Sequence, residues 1–260
     1  MFRTFRRSLF LVAAATVAIA ACTTSTPAAP ALTDAREILT RSIGTFKDVK
    51  SLHLHADVSG AVKIDLSGTG NGGSVDLKGT TADGDIDIAN KKAHLSFGVP
   101  LLFGVTGDLI LIDQTTYMKI SLLGPKYEKS EPKPGAVASA APMDVQKVID
   151  EMSKFLDQPG VSPTRQADEK CGDRDCYRVS LNLTSAQLGN VTDALGSAVP
   201  SGTGTIDVWV QKNDLHPVKM TIAADGGDQG TIAVTLTMSN YDAPLTINAP
   251  PDAEIAPSAT

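Results

Sequence analysis

The sequence predicts an α+β fold, a large curved antiparallel sheet of about 10–11 strands closed into a half-barrel, with about three helices packed on its concave face around an apolar cavity. Three observations carry that reading. The stretch "SLHLHADVSGAVKIDLSG" at 51–68 alternates apolar and polar residues almost without fault. Three other stretches repeat apolar residues at helical spacing. Short Gly- and Asp-rich turns join most of the remaining alternating runs, which makes neighbouring strands antiparallel.

The N-terminal segment stands apart from this fold. "MFRTFRR" is basic, "SLFLVAAATVAIAA" is a short apolar run ending in small residues, and Cys22 follows. This order reads as a lipoprotein signal peptide over 1–21, with Cys22 fatty-acylated (palmitate-type chains) at the new N-terminus. Arg6-Arg7 hints at twin-arginine export, but the flanks fit general secretion better. The Ser/Thr/Pro/Ala stretch over 22–32 is a flexible tether. Residues 33–250 form a single domain whose halves, 33–130 and 143–250, are joined by the Pro/Ala linker 131–142, and 251–260 reads as a disordered tail. Cleavage removes three of the 23 basic residues and none of the 29 acidic ones, so the net charge falls from −6 to −9. That balance argues against nucleic acid and against adsorption to anionic headgroups as the mode of membrane attachment. The chain is expected at the extracytoplasmic face of the cell membrane, lipid-anchored and monomeric.

The first helix opens at Asp34 with Glu37 at the capping-box position and carries Ile38, Leu39, Ile43 and Phe46. The second has the clearest period, through Val145, Val148, Ile149, Met152, Phe155 and Leu156. The third opens at Thr184 with Gln187 completing the box. Leu183 and Leu188 form its hydrophobic staple, and Val191 and Leu195 continue the stripe. Strands are expected at 52–66, 74–81, 85–97, 107–113, 116–123, 163–170, 176–183, 203–211, 216–224 and 229–241, with "ADGD" at 82–85 as a turn. Cys171 and Cys176 flank a Gly/Asp turn and, in an exported chain, form a local disulfide. Whether the sheet runs continuously through both halves is open.

About ten strands of about 20 Å at 4.8 Å spacing present an apolar face near 1,000 Å². Three short helices, each about 10 Å wide, cover roughly two-thirds of it. The remainder needs bulky filling, yet the chain holds one Trp, seven Phe and four Tyr. A hollow is the economical outcome, and a lipid fills it. The residues expected to line it are Leu54, Val58, Ile64, Leu66, Ile43, Phe46, Val148, Met152, Phe155, Val208, Val210, Met220, Ile222, Val234 and Leu236. The uncharged run "LSFGVPLLFGVTG" at 95–107 is a greasy lip where a lipid enters (Phe97, Leu101, Leu102 and Phe103 as the cavity mouth) or a contact with the membrane from which lipid is taken, or else a buried hairpin that completes the core.

Catalytic patterns are missing: there is no G-x-S-x-G elbow and no glycine loop followed by Lys-Ser/Thr. His53 and His55 share the wet face of one strand without an evident third ligand, so neither a metal nor a cofactor is expected. "DGDID" at 83–87 lacks the terminal glutamate and flanking helices of a calcium loop. Trp209 is out of phase with Val208 and Val210 and belongs on the outer face.

In the order of these features the chain resembles the actinobacterial LppX/LprG-type lipoproteins, which share the half-barrel of the LolA and LolB sorting proteins. The resemblance rests on Cys22, the helix at 34–47 running into "VKSLHLHADVSG", the hairpin "GDLILIDQTTYMKI", the strand pair "IDVWVQKNDLHPVKMTI" through Pro217, and the tail "PLTINAPPDAEI". It implies a non-enzymatic carrier that holds a multi-acyl lipid or lipoglycan in an apolar cavity and moves it across the cell envelope, with an envelope transporter as a further partner. The Cys171–Cys176 pair is not associated with the family's best-known members and leaves the cargo open. The alternative is an envelope interaction module that docks a partner protein through its apolar surface.

Overall fold

Strand β1 (Ser51–Ile64) is the seam of the sheet: it pairs on one side with β3 (Thr80–Asp87) and on the other with β13 (Gly230–Ser239), the last strand of the chain. The computed structural model describes residues 31–64, 73–131, 145–188 and 202–257. The chain divides into Met1–Ala31 and a unit Leu32–Thr260, and the second holds every described helix and strand. Its other elements are α1 (Ala35–Thr45), β2 (Gly73–Asp76), β4 (Lys92–Val99), β5 (Val105–Ile112), β6 (Thr115–Ile120) and β7 (Glu128–Ser130) in the first half. The second half holds α2 (Val145–Leu156), β8 (Thr164–Arg165), β9 (Glu169–Cys171), β10 (Arg174–Leu183), a helix opening at Ser185, β11 (Thr203–Gln211) and β12 (Pro217–Asp225).

The 13 strands form one open antiparallel sheet in the order β7-β6-β5-β4-β3-β1-β13-β12-β11-β10-β8, with β2 on β1 and β9 on β10. The two halves are therefore continuous, joined through the ten-residue-long register of β1 on β13, from His53↔Ser239 to Val62↔Gly230. The strands beyond the expected number are short, since β2, β7, β8 and β9 have four residues or fewer. Cys171 and Cys176 form the expected disulfide across the β9–β10 turn, with Cα atoms 5.9 Å apart.

One expected turn is strand. "ADGD" at 82–85 lies inside β3, and the chain reverses at 88–91 instead, where Lys91 adopts a positive φ of 54°. The Asp-Gly composition suggests a turn, but Asp83 and Asp85 point outward to histidines of β1 while Gly84 sits opposite Leu54 and Leu95. A Cβ on Gly84 would stand 2.0 Å from the His94 carbonyl oxygen, so the strands approach there as only glycine allows.

The helices form where their caps predict. Asp34 Oδ1 accepts from the Glu37 amide at 2.7 Å at the start of α1. Thr184 and Gln187 exchange reciprocal bonds, Thr184 N to Gln187 Oε1 at 2.9 Å and Gln187 N to Thr184 Oγ1 at 3.4 Å. Leu183 and Leu188, the staple pair, are both buried in one cluster; Val191 and Leu195 lie outside the described residues. The apolar faces of α1 and α2 (Ile38, Leu39, Ile149, Leu156) pack on Tyr177, Val179, Leu181 and Val210. Arg36 ties the helices together, donating to the carbonyls of Leu156 and, at 2.7 Å, Val161. The Leu156 carbonyl is one that the end of α2 otherwise leaves without a partner, and Val161 ends the turn that follows.

The segment expected as a disordered tail over 251–260 is ordered through 257. Tyr127 donates its amide to the Glu254 carbonyl at 2.8 Å and accepts at its own carbonyl from Ala256 at 2.8 Å. With Ile247 it closes over Ile110 on the outer face. The expected linker 131–142 lies almost wholly outside the described residues.

Arg36→Ala removes the charged donor from two carbonyls at once. The expected loss is about 1.5–3 kcal/mol in urea unfolding, with Arg36→Lys recovering part of it. An unchanged midpoint would show that the α1–α2 pair does not depend on this side chain.

Candidate functional site

Residues paired across an antiparallel ladder point to the same face, so the register fixes what each face presents. One line of partners crosses the sheet as Val179, Val208, Met220, Leu236, Ala56, Ala82, Phe97, Gly107 and Ile120. A second runs Leu181, Ile206, Ile222, Val234, Val58 and Thr80. A third runs Met238, Leu54, Gly84, Leu95, Leu109 and Met118. The inner face is apolar from one flank of the sheet to the other.

Its burial is uneven in an unusual sense. At the end where β1 begins, Val49, Leu52, Ile86, Ala93 and Met238 are buried against Phe46 and Tyr241. At the opposite end Val62, Leu183, Leu188, Ala224 and Ile232 are buried. On the β10–β11 flank the face is sealed by α1 and α2. Between these closed borders Leu54, Ala56, Val58, Met220, Ile222, Val234 and Leu236 are only half-buried. The centre of a wide sheet is ordinarily its driest part; here it is wetter than its ends. α1 packs mainly on β8, β10 and β11, and the half-buried residues lie beyond that footprint on β1, β12 and β13. Toward β6 the face opens further: Leu95, Phe97, Leu109 and Ile120 are half-buried, and Met118 is exposed. A cleft of about 350 Å³ lies there, lined by Met118, Ile120, Leu123, Gly124, Pro125, Lys126, Glu128 and Ala256, within the size range of small-molecule sites.

The expected lining residues divide accordingly. Leu54, Val58, Met220, Ile222, Val234 and Leu236 share the open face, whereas Ile43 and Val210 are fully packed in the helix–sheet core. Phe46, Phe155 and Val208 are half-buried at the margin of that core, and Met152 is exposed. Leu66, Cys22 and the side chains of Ile64 and Val148 lie outside the described residues. At 95–107 the buried-hairpin alternative is not what forms, because Leu101, Leu102 and Phe103 are exposed. Phe97 lies instead on the inner face, its ring over Gly107, where an added Cβ would meet Phe97 Cζ at 2.3 Å. Sequence reasoning passed over Leu122 and Leu123, also exposed, because 116–123 reads as one strand; the break in alternation at "SLLGP" is the signal for them.

The outer face carries a polar ladder. His55 Nδ1 and His53 Nε2 both meet Asp83 Oδ2, at 2.9 and 3.3 Å, while His53 Nδ1 bonds Asp85 at 2.9 Å and His55 Nε2 reaches Asp57 at 3.1 Å. The hydrogen bond to Asp83 raises the His55 pKa above its ordinary 6.5, and the same bond holds the Asp83 carboxyl below its ordinary value. Among the described residues no group of three His, Cys, Asp or Glu side chains is arranged to hold a metal ion. Trp209 is on this face as expected, donating from Nε1 to Glu169 at 2.7 Å between Lys219 and Arg178.

No protein-family model matches the sequence, and no curated protein matches it. Solved structures do match. LprF from Mycobacterium bovis superposes with a TM-score of 0.55 at 22% identity, over 83% of this chain and 96% of LprF. The lipoprotein LppX from Mycobacterium tuberculosis gives 0.52 at 16% identity, over 82% of this chain and 97% of LppX. The chain has the fold of LprF and LppX. The half-barrel implied by the sequence resemblance is therefore present, and the open inner face described above belongs to a fold shared with a lipoprotein. No described helix is long and apolar enough to cross a membrane.

The His–Asp ladder makes stability pH-dependent in a defined direction. A His55 pKa raised on folding gives a contribution that is full below the unfolded value of 6.5 and fades as pH rises through the folded value. Asp83, lowered on folding, acts oppositely: its contribution is full above 3.8 and fades as pH falls through the folded value. The urea midpoint should drop slightly between about pH 5.5 and about pH 8, and His55→Gln should flatten that slope. Equal slopes in both proteins would exclude the ladder as the source.

Proposed function

We propose that this protein is a lipoprotein of the cell envelope, anchored at the extracytoplasmic face of the cell membrane through acylated Cys22. On this reading it holds the acyl chains of a multi-acyl lipid or lipoglycan against its inner sheet face and carries that lipid across the envelope. The observation that carries the reading is the half-buried centre of an apolar face that is closed at both ends and on the β10–β11 flank. Val, Leu and Ile side chains there lose less rotamer freedom than longer unbranched ones when a chain packs on them, and each methylene they shelter is worth about 0.8 kcal/mol. A 16-carbon chain sheltered over its full length would thus gain on the order of 10 kcal/mol before ordering costs. Specificity on such a surface comes from length and number of chains, because the face offers few directional contacts. No bond is made or broken in this role. The shared fold with the lipoprotein LppX supports it, and an envelope transporter is the partner that a carrier of this kind would serve.

The mature chain with Cys22→Ser, which cannot be acylated, is expected to show bound lipid in its native mass spectrum. It should also take up a fluorescent fatty acid after delipidation. Leu236→Glu places a charge at the middle of the first apolar line and should weaken uptake at least ten-fold, with the circular dichroism melt confirming a folded sheet. Trp209, on the opposite face, should keep its emission unchanged on uptake. Preparations that carry no lipid and acquire none would overturn the proposal.

A further inference from the structure

The geometry points to a second role for one end of the sheet: we propose that loops 100–104 and 121–125 together form a tip that inserts into the surface of a phospholipid bilayer. The insertion stands on the tip alone; that cargo enters the inner face from there rests on the carrier reading above.

Seven large apolar side chains are exposed among the described residues, and five of them are Leu101, Leu102, Phe103, Leu122 and Leu123. The sequence separates the two loops by about twenty residues, and the sheet brings them together. β4 and β5 end at one loop, β6 ends at the other, and Ser121 donates to the Thr106 carbonyl at 2.8 Å while its Oγ accepts from Thr106 N at 3.0 Å. Phe103 is 99% exposed. It also holds a left-handed φ of 57°, a conformation that a bulky residue occupies at a cost. Folding gains nothing from that arrangement, since the ring touches no core, whereas insertion would.

Charge selects the occupant. Residues 97–107 and 120–127 contain no Asp or Glu, and their single charged side chain is Lys126, in a chain whose net charge is −6. The acids nearest in sequence are Asp108, which faces Lys119 at 3.4 Å, and Glu128, which lines the cleft with Lys126; Glu254 also meets the stretch, through its backbone carbonyl on Tyr127. An acid-free apolar tip with a flanking lysine fits the headgroup–acyl boundary, where such groups bury about 5–10 Å deep. The expected anchor agrees, because the ten residues from Cys22 to Leu32 reach no further than roughly 35 Å and keep the unit close to the membrane surface. The tip also leads inward. Leu123 lines the cleft together with Ile120 and Met118, and Ile120 is the last member of the apolar line that crosses the whole inner face.

The test uses the mature Cys22→Ser chain carrying Phe103→Trp, and vesicles of phosphatidylcholine with about 30% phosphatidylglycerol. The new indole is expected to shift to shorter wavelength and to be quenched by lipids brominated on their acyl chains, while the parent protein, whose one Trp209 lies on the outer face, shows neither change. Phe103→Ser with Leu122→Ser should lower vesicle binding at least ten-fold. It should also slow lipid uptake from vesicles while leaving the affinity for monomeric fatty acid unchanged. Uptake without quenching overturns the tip and leaves the carrier standing. Quenching without any uptake confirms the tip and removes the carrier. Sedimentation that shows a dimer dissolved by the same serine substitutions, with no vesicle binding, assigns the surface to a second copy and overturns the proposal.

Discussion

The simultaneous pairing of β1 with β3 and β13 governs everything else in the molecule. It closes the chain's last strand onto its first, so the two halves become one sheet and the apolar sides of both face the same way. A shift of one residue along either ladder would turn Leu54, Ala56 and Val58 outward and His53, His55 and Asp57 inward. The polar ladder opposes that slip, because His53 and His55 find Asp85 and Asp83 only in the observed register. Each ion pair is at least partly exposed and individually weak. Their value lies in choosing among registers, where burying any of these groups would be costly.

Given the register, the sheet is wider than its helices can cover. α1 and α2 seal one flank, and the turn after α1 and the helix opening at Ser185 help close the two ends. The middle strands and the β4–β6 flank keep an apolar face that is half-buried or open. A face of this kind is a liability for a free-standing chain, since it invites aggregation. Small residues near its centre, Ala56 and Ala82, lower the relief there. That low relief suits a sliding alkyl chain better than a packed helix.

Local rules made much of this legible and left the rest hidden. The alternation of β1, the Asp34 cap and the Thr184–Gln187 box follow from neighbours in sequence and form as written, although the Glu37 carboxylate turns to Arg41 and does not complete the first box. "ADGD" misleads because the partners of its acids lie on another strand, and local composition carries no information about them. The same alternating pattern describes Val210, fully packed under the helices, and Leu236, half-exposed in the trough. Only the lateral position of the helices separates the two, and no periodicity encodes that position. The tip is legible only in part, as the lip at Leu101, Leu102 and Phe103, for a related reason. Its two loops are distant in sequence and become one surface only through the β4–β5–β6 pairing.

The central claim is that foreign acyl chains occupy the middle of the inner face. It is tested most directly by intermolecular nuclear Overhauser effects, recorded on deuterated protein with protonated methyls of Ile, Leu and Val and loaded with a protonated lipid. Contacts from acyl methylenes to Leu54, Val58, Val234 and Leu236, with none to Ile43 or Val210, are the predicted result. Contacts confined to Leu101, Leu102 and Leu123, or a bound lipid that touches no inner-face methyl, would contradict it.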